Sequence, residues 1–277
     1  MDVAVGFVFF NPCKSIRMVM NYLYTKNRLE TQGIPTFTLE LTFNGRRPEL
    51  DGAFQVCSDS YMFHKERMFR ILETKIPEKY KKIALLDADL VYEDISWYLK
   101  TSLLLDTHDA VQCFDKCIYL GPMYDSCVRV AGNIVNGQYE FDNPGLAWAF
   151  RRDWYTRNGF FEYDVMGNND TLSTATWLNR DLPSLFSKSI GPALEEYKKQ
   201  IQKPRVSYTE GVEVQHLFHG SLTNRNYVNR NSLLDDVTDV RDELSLNKDG
   251  MFEWKDPKRN KSFLEYFRNR LDDDIKV

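Results

Sequence analysis

Lys82-Ile83-Ala84-Leu85-Leu86-Asp87-Ala88-Asp89 is the stretch on which the fold turns. A short apolar run bounded by charge is what a strand buried on both faces requires. This one opens directly onto two aspartates, one residue apart. In open α/β sheets, ligands bind just beyond the carboxyl ends of the strands. Two carboxylates at such an end can turn toward one divalent ion, and hard oxygen ligands suit Mg2+ or Mn2+. A lone Asp-x-Asp is common by chance and fits a pair of solvated loop residues equally well. Its place after a buried strand is what gives it weight.

Working outward, Val3 to Phe10 is a second continuous apolar run, ended by Asn11-Pro12. Ser15 can cap a helix from Ile16 to Arg28. Gly33-Ile34-Pro35 is a turn, and Thr36 to Phe43 reads as another strand. Strand, helix, strand is the signature of a parallel sheet. Further helices are expected over Ser60–Thr74 and Ser96–Leu105, and a strand over Ala110–Phe114. Gly121 to Asn179 is punctuated by Gly and Asn and does not parse. Asp181 to Gln202 looks helical in its second half, Val212 to Phe218 reads as a late strand, and a last helix covers Lys261 to Arg270. After Asn231 the chain turns acidic, with Asp235, Asp236, Asp239, Asp242 and Glu243. No internal repeat is visible. The expected organisation is one α/β domain over residues 1–230, with residues 231–277 packed on it as an extension and not as an independent domain.

Length and composition bound the function. The 277 residues allow one or two domains, and 43% hydrophobic with 27% charged residues is a globular balance. The 36 basic and 40 acidic side chains leave a net charge of −4 without a basic block. That argues against nonspecific binding of nucleic acid or anionic membranes. Met1-Asp2-Val3 has no positive leader, the run to Phe10 is too short for a signal peptide, and no window reaches 18 apolar residues. A cytoplasmic protein with no transmembrane segment is expected. Cys13, Cys57, Cys113, Cys117 and Cys127 make an odd count, so free thiols are expected. Cys113, Cys117 and Cys127 fall one ligand short of a structural zinc site. The 18 Phe, 15 Tyr and 5 Trp serve a core or a stacking cleft equally well.

Four histidines are present: His64, His108, His216 and His219. Two fall together in Val214-Gln-His216-Leu-Phe-His219-Gly220, at the end of an expected strand. Imidazoles join carboxylates at Mn2+ or Zn2+ sites, so a metal shared with Asp89 is the expectation, His219 ahead of His216. Gly167-Asn-Asn-Asp170 could present a general base to a hydroxyl. Taken alone, it reads better as a turn in which Asp170 caps the next helix. Trp148, taken alone, reads as core.

The order of these pieces is informative. A strand-loop-helix is followed by Phe63-His64-Lys65, Asp87-Ala-Asp89, Gly145-x-x-x-Ala-Phe-Arg-Arg152, a Gly-containing loop ending in Asp170, and His219-Gly220. This order resembles metal-dependent GT-A fold glycosyltransferases, in particular the β-galactosyltransferase and polypeptide N-acetylgalactosaminyltransferase group. The stretch His219 to Arg230, with Asp249-Gly250 and Trp254, is similar to small soluble glycosyltransferases of large DNA viruses and phages. The resemblance implies a mostly parallel central sheet flanked by helices. It also implies a nucleotide-sugar donor, UDP favoured, with Mn2+ or Mg2+, a glycan or glycoprotein acceptor, and the host cytoplasm if the source is viral.

Residue by residue, the resemblance implies that Phe10, Asn11 and Arg17 hold the nucleotide and that Glu40 faces the base. Lys65 would contact the donor. Asp87 would lie near ribose and metal, and Asp89 would ligate the metal with His216 and His219. Trp148 joins the donor side, Arg225 and Arg230 face the diphosphate, and Asp170 is the base of an inverting transfer. His216 stands where that group has Met, and the loop keeps one acid where the group has two or three.

Two other classes remain. Ile83 to Val91 also fits the nucleophile motif of haloacid-dehalogenase-type phosphatases, with Asp87 as nucleophile and Asp235, Asp236 and Asp239 as later metal acids. Against it, at least two strands precede the motif, and the histidine pair is left idle. The third class is a nucleotide-sugar or carbohydrate binding protein without turnover.

Overall fold

A computed structural model describes residues 1–137, 142–181, 186–221 and 230–270. The chain opens with β1 (Val3–Phe10), α1 (Ile16–Thr31), β2 (Thr36–Phe43), β3 (Phe54–Ser58) and α2 (Lys65–Glu73). Next come β4 (Lys82–Leu86), β5 (Leu90–Tyr92), α3 (Ser96–Leu104), β6 (Ala110–Gln112), β7 (Lys116–Leu120), β8 (Cys127–Asn133) and β9 (Asp142–Asn143). Then follow β10 (Ala147–Arg151), α4 (Arg152–Arg157), α5 (Asn169–Leu178), α6 (Gly191–Gln200), β11 (Val206–Tyr208) and β12 (Glu213–His216). A hairpin of β13 (Leu244–Leu246) and β14 (Phe252–Trp254) leads into α7 (Pro257–Asn269).

The central sheet has the order β11-β6-β10-β4-β1-β2-β3. Its neighbours run parallel except around β10, which is antiparallel to both β4 and β6. The fold is therefore α/β with a largely parallel sheet flanked by helices, as the strand-helix-strand opening leads one to expect. The antiparallel β10 lies in the stretch that did not parse.

Side chains alternate across a strand, and β1 shows what that does here. Val3, Val5, Phe7 and Phe9 pack on one face with Tyr22 and Leu29 of α1 and Trp97 and Tyr98 of α3. Ala4 and Val8 pack on the other with Met68, Phe69 and Leu72 of α2. Burial of each large apolar side chain is worth roughly 1.5–3 kcal/mol, so two-faced burial makes β1 and β4 the rigid centre.

The helix expected from Ser60 begins only at Lys65, because the preceding residues bond to the C-terminal segment instead. Ser60 Oγ accepts from Trp254 N at 2.9 Å, Tyr61 O accepts from Trp254 Nε1 at 3.0 Å, and Tyr61 N donates to Asn260 Oδ1 at 2.7 Å. α7 then lies with Phe263 and Phe267 buried, and Cys13 Sγ donates to Phe267 O at 3.0 Å.

A second sheet, β5-β12-β7-β8-β9, stands beyond the carboxyl end of β4. β5 starts immediately after Asp89 and pairs antiparallel with β12, placing His216 opposite Leu90. That register brings two distant pieces of sequence to one edge.

Candidate active site

The site is assembled at the end of β4. Asp87 N donates to Leu146 O at 2.8 Å, which ties the Asp-x-Asp turn to the start of β10. Leu217 N donates to Asp89 O at 2.9 Å, continuing the β5–β12 pairing past His216. In consequence His219 Nε2 lies 3.0 Å and His216 Nε2 3.6 Å from Asp89 Oδ2. Ligand atoms of all three residues lie within 4.8 Å of one another. Atoms about 2.1 Å from a common ion stand roughly 3 Å apart when adjacent in its shell. One carboxylate and two imidazoles at this spacing fit a divalent ion.

Asp87 does not join that group. Its Oδ1 lies 3.3 Å from Lys65 Nζ, and the same ammonium lies 3.3 Å from Asp170 Oδ2 and 3.8 Å from Glu66 Oε1. Both Lys65 and Glu66 belong to the first turn of α2, and Asp170 to the first turn of α5. Helix N-termini favour negative charge, and here first-turn side chains of two helices meet. Burial pushes Asp87 up to about 6, reinforced by Asp89 and Asp170 and opposed by Lys65. Burial likewise pushes Glu66 up to about 7. Burial alone would pull Lys65 down, but Asp87, Asp170 and Glu66 outweigh it and hold the ammonium well above its ordinary range.

These groups share one cavity of about 360 Å³. Phe10, Lys65, Asp87, Asp89, Asp170, His216, His219 and Arg230 of the expected set all line it. So do residues the sequence did not single out: Glu66, Tyr119, Arg129, Asn143, Phe267 and Arg270. Glu66 had one available signal, its place beside Lys65 at a helix start; the others had none. Phe63 forms a wall over which the guanidinium groups of Arg230 and Arg270 each lie 5.4 Å from the ring centre.

Other expected residues stand elsewhere. Trp148 is 2% exposed and packs against Trp177, with Nε1 donating to Pro144 O at 2.8 Å. It faces the core because β10 is a central strand. The carboxylate of Glu40 accepts from Glu49 N, Leu50 N and Gln55 Nε2 at 2.6–3.1 Å. Asn11 bonds Ser15 through both side-chain atoms and lines a small recess with Glu40, apart from the main cavity. Arg17 donates to Pro122 O at 2.9 Å and lies over Phe218, which keeps it out of the cavity lining. Arg225 lies outside the described residues. Asp236 is paired with Arg259 and Asp239 with Arg241, so neither is gathered to Asp87 as a phosphatase would need. None of the five cysteines is in a disulfide.

No family model matches the chain, and no curated protein does. Solved structures are similar to it in backbone course. One is a mutant of Drosophila β-1,4-galactosyltransferase 7 in complex with manganese, UDP-Gal and xylobiose, at 12% identity and a TM-score of 0.40, over 76% of this chain and 66% of that one. Another is glucosyl-3-phosphoglycerate synthase from Mycobacterium tuberculosis with UDP, at 12% identity and a TM-score of 0.41, over 88% and 83%. A third is A197 from STIV, at 13% identity and a TM-score of 0.34, over 91% and 94%. The chain thus spans just under two thirds of that galactosyltransferase chain. Among the described residues no helix is long and apolar enough to cross a membrane.

Proposed function

We propose that this chain is a metal-dependent GT-A glycosyltransferase that moves a sugar from a nucleoside diphosphate to an acceptor hydroxyl. One observation carries the reading: a trio fit for a divalent ion, Asp89, His216 and His219, shares a cavity with the Lys65–Asp87–Asp170 cluster. Residues 1–230 form the transfer domain in this reading, and residues 231–277 an extension from which Phe267 and Arg270 complete the cavity wall. The donor is a UDP-sugar, the acceptor a glycan or glycoprotein, and the place of action the cytoplasm, a host's if the source is viral.

Asp89, His216 and His219 would hold Mn2+, or Mg2+ in its place, which when bound offsets charge on the departing diphosphate. Phe10 and Phe267 supply apolar wall. Lys65, Arg230 and Arg270 supply positive charge where the leaving group becomes more negative, and in a partly dry cavity that is worth more than in water. Asp170 takes the proton of the acceptor hydroxyl, whose oxygen attacks the anomeric carbon opposite the leaving group, giving inversion. Lys65 touches both Asp87 and Asp170 and so spans the donor and acceptor sides.

The test is thermal unfolding with UDP, GDP, CMP and dTDP, each with Mn2+ or with EDTA. A ligand at about a hundred times its Kd adds roughly 2.7 kcal/mol to native-state stability. The expected result is a shift with UDP and Mn2+ that EDTA removes and that Asp89→Ala abolishes. A shift with no turnover of any UDP-sugar would leave a binding protein. No shift with any nucleotide would overturn the donor site, and hydrolysis of a generic phosphoester, lost in Asp87→Asn, would favour the phosphatase.

A further inference from the structure

We propose that Glu66 is a positioning residue of this site: by holding Asn169 it fixes the first turn of α5, and with it the carboxylate of Asp170. The inference rests on the transferase reading. Glu66 is 3% exposed and yet lines the cavity. A buried carboxylate is costly unless it is paired. Its nearest cation, Lys65, stands 3.8 Å away and lies closer to Asp87 and Asp170. The fold therefore keeps an expensive group with only a share of a counter-ion, which asks for a reason beyond packing.

The hydrogen bonds supply one. Glu66 Oε2 accepts from Asn169 Nδ2 at 2.9 Å. The rest of that amide is committed to the loop before α5. Nδ2 also donates to Asp164 O at 2.9 Å, and Oδ1 accepts from Asp164 N at 2.8 Å. Asp164 in turn accepts from Met166 N and Asn168 Nδ2. One side chain thus joins the start of α2, the loop and the start of α5. Asp170 is the next residue, held between Lys65 and the backbone of Gly145. Without Glu66 the amide of Asn169 bonds only within its own loop, and the start of α5 is left to the Lys65–Asp170 pair and the Phe63 N to Val165 O bond, neither of which fixes Asn169. Displacing a reacting group by about 1 Å can cost on the order of 100-fold in rate. The metal trio, with His216 at the end of β12, His219 three residues further on and Asp89 in the turn after β4, stands outside this network, so the metal end of the donor site is spared.

The experiment uses the full chain with Mn2+ and UDP-glucose or UDP-galactose, following UDP release to water as acceptor, together with the Tm shift caused by UDP and Mn2+. Glu66→Ala and Asn169→Ala are expected to lower kcat at least about tenfold, with donor KM and the Tm shift little changed. Because both act through one contact, the double variant should be no slower than the slower single one. Glu66→Gln keeps an acceptor oxygen for Asn169 Nδ2 and should recover the rate to within about threefold. Glu66→Ala with wild-type kcat would overturn the inference. So would KM and Tm shift moving in step with kcat, or Glu66→Gln as slow as Glu66→Ala. Should Glu66→Ala not fold, Glu66→Gln and Asn169→Ser carry the same contrast. A wild-type protein that turns over neither donor removes the transferase reading, and the inference with it. Active wild type with unimpaired Glu66→Ala removes the inference alone.

Discussion

Asp170 Oδ2 lies against the α-carbon of Gly145, so near that a methyl group added there would overlap it. The requirement is for space, since Gly145 is not among the residues with left-handed backbone. The next residue, Leu146, accepts the hydrogen bond of Asp87 N. One short turn therefore sets two carboxylates that the sequence separates widely.

Gly145→Ala should push the Asp170 carboxylate aside while leaving β10 in place. The expected outcome is a fall in kcat of roughly 10- to 100-fold, with the Tm shift from UDP and Mn2+ retained. Steady-state kinetics beside thermal unfolding checks it. Unchanged kcat would show that Asp170 is not the group that moves the proton.

Asp89→Ala, His216→Ala and His219→Ala should each weaken Mn2+ binding by at least about tenfold, because a three-ligand set loses a first ligand. Titration calorimetry with Mn2+ alone reads this without any sugar present. Equal Mn2+ affinity in wild type and all three variants would remove the metal assignment.

Arg270→Ala should reduce the stabilisation by UDP and Mn2+, and Arg17→Ala should not. Arg270 lines the cavity over Phe63, whereas Arg17 is engaged with Pro122 and Phe218. The paired comparison is informative because the resemblance favoured Arg17 and the geometry favours Arg270. A larger loss in Arg17→Ala would reverse that order.

His64 sets an acid-side slope of stability. It is 1% exposed, its Nε2 meets Ser60 O at 3.0 Å, and burial pulls its pKa down to about 4 from 6.5. The unfolded chain therefore binds the proton first. Stability is whole above pH 6.5 and is lost as the pH falls through 4, by roughly 3 kcal/mol. The raised carboxyls of Glu66 and Asp87 act in the opposite sense and cancel in a comparison of variants. Urea unfolding of wild type and His64→Phe at pH 7.5 and 4.5 should show the wild type losing about 2–3 kcal/mol more. Parallel losses would mean that His64 is not the group responsible.

The α/β class, the edge at Asp87 and Asp89, and the pairing of Asp89 with His216 and His219 were legible because each depends on local pattern. A buried strand shows as an apolar run, and a group able to hold a metal shows as rare residue types. Trp148 misled because donor pocket and core ask for the same side chain. β10 escaped because Ala147 to Arg151 sits among Gly and Asn, and its antiparallel course follows from its neighbours. Glu40 and Asn11 are polar residues near the right strands, but loop bonds to Glu49, Leu50 and Ser15 occupy them. Glu66 and Arg270 are brought to the cavity only by the folded chain.

Phe267 and Arg270, which close one wall of the cavity, come from the end of α7, while Phe10 comes from β1. A ribosome makes that wall after every other described part of the site. A nascent chain can already carry Asp89, His216 and His219, with Phe10 and Arg230 beside Phe63, yet it lacks Phe267 and Arg270 until α7 emerges. In the reading proposed above, the donor wall is therefore complete only once the C-terminal helix has docked.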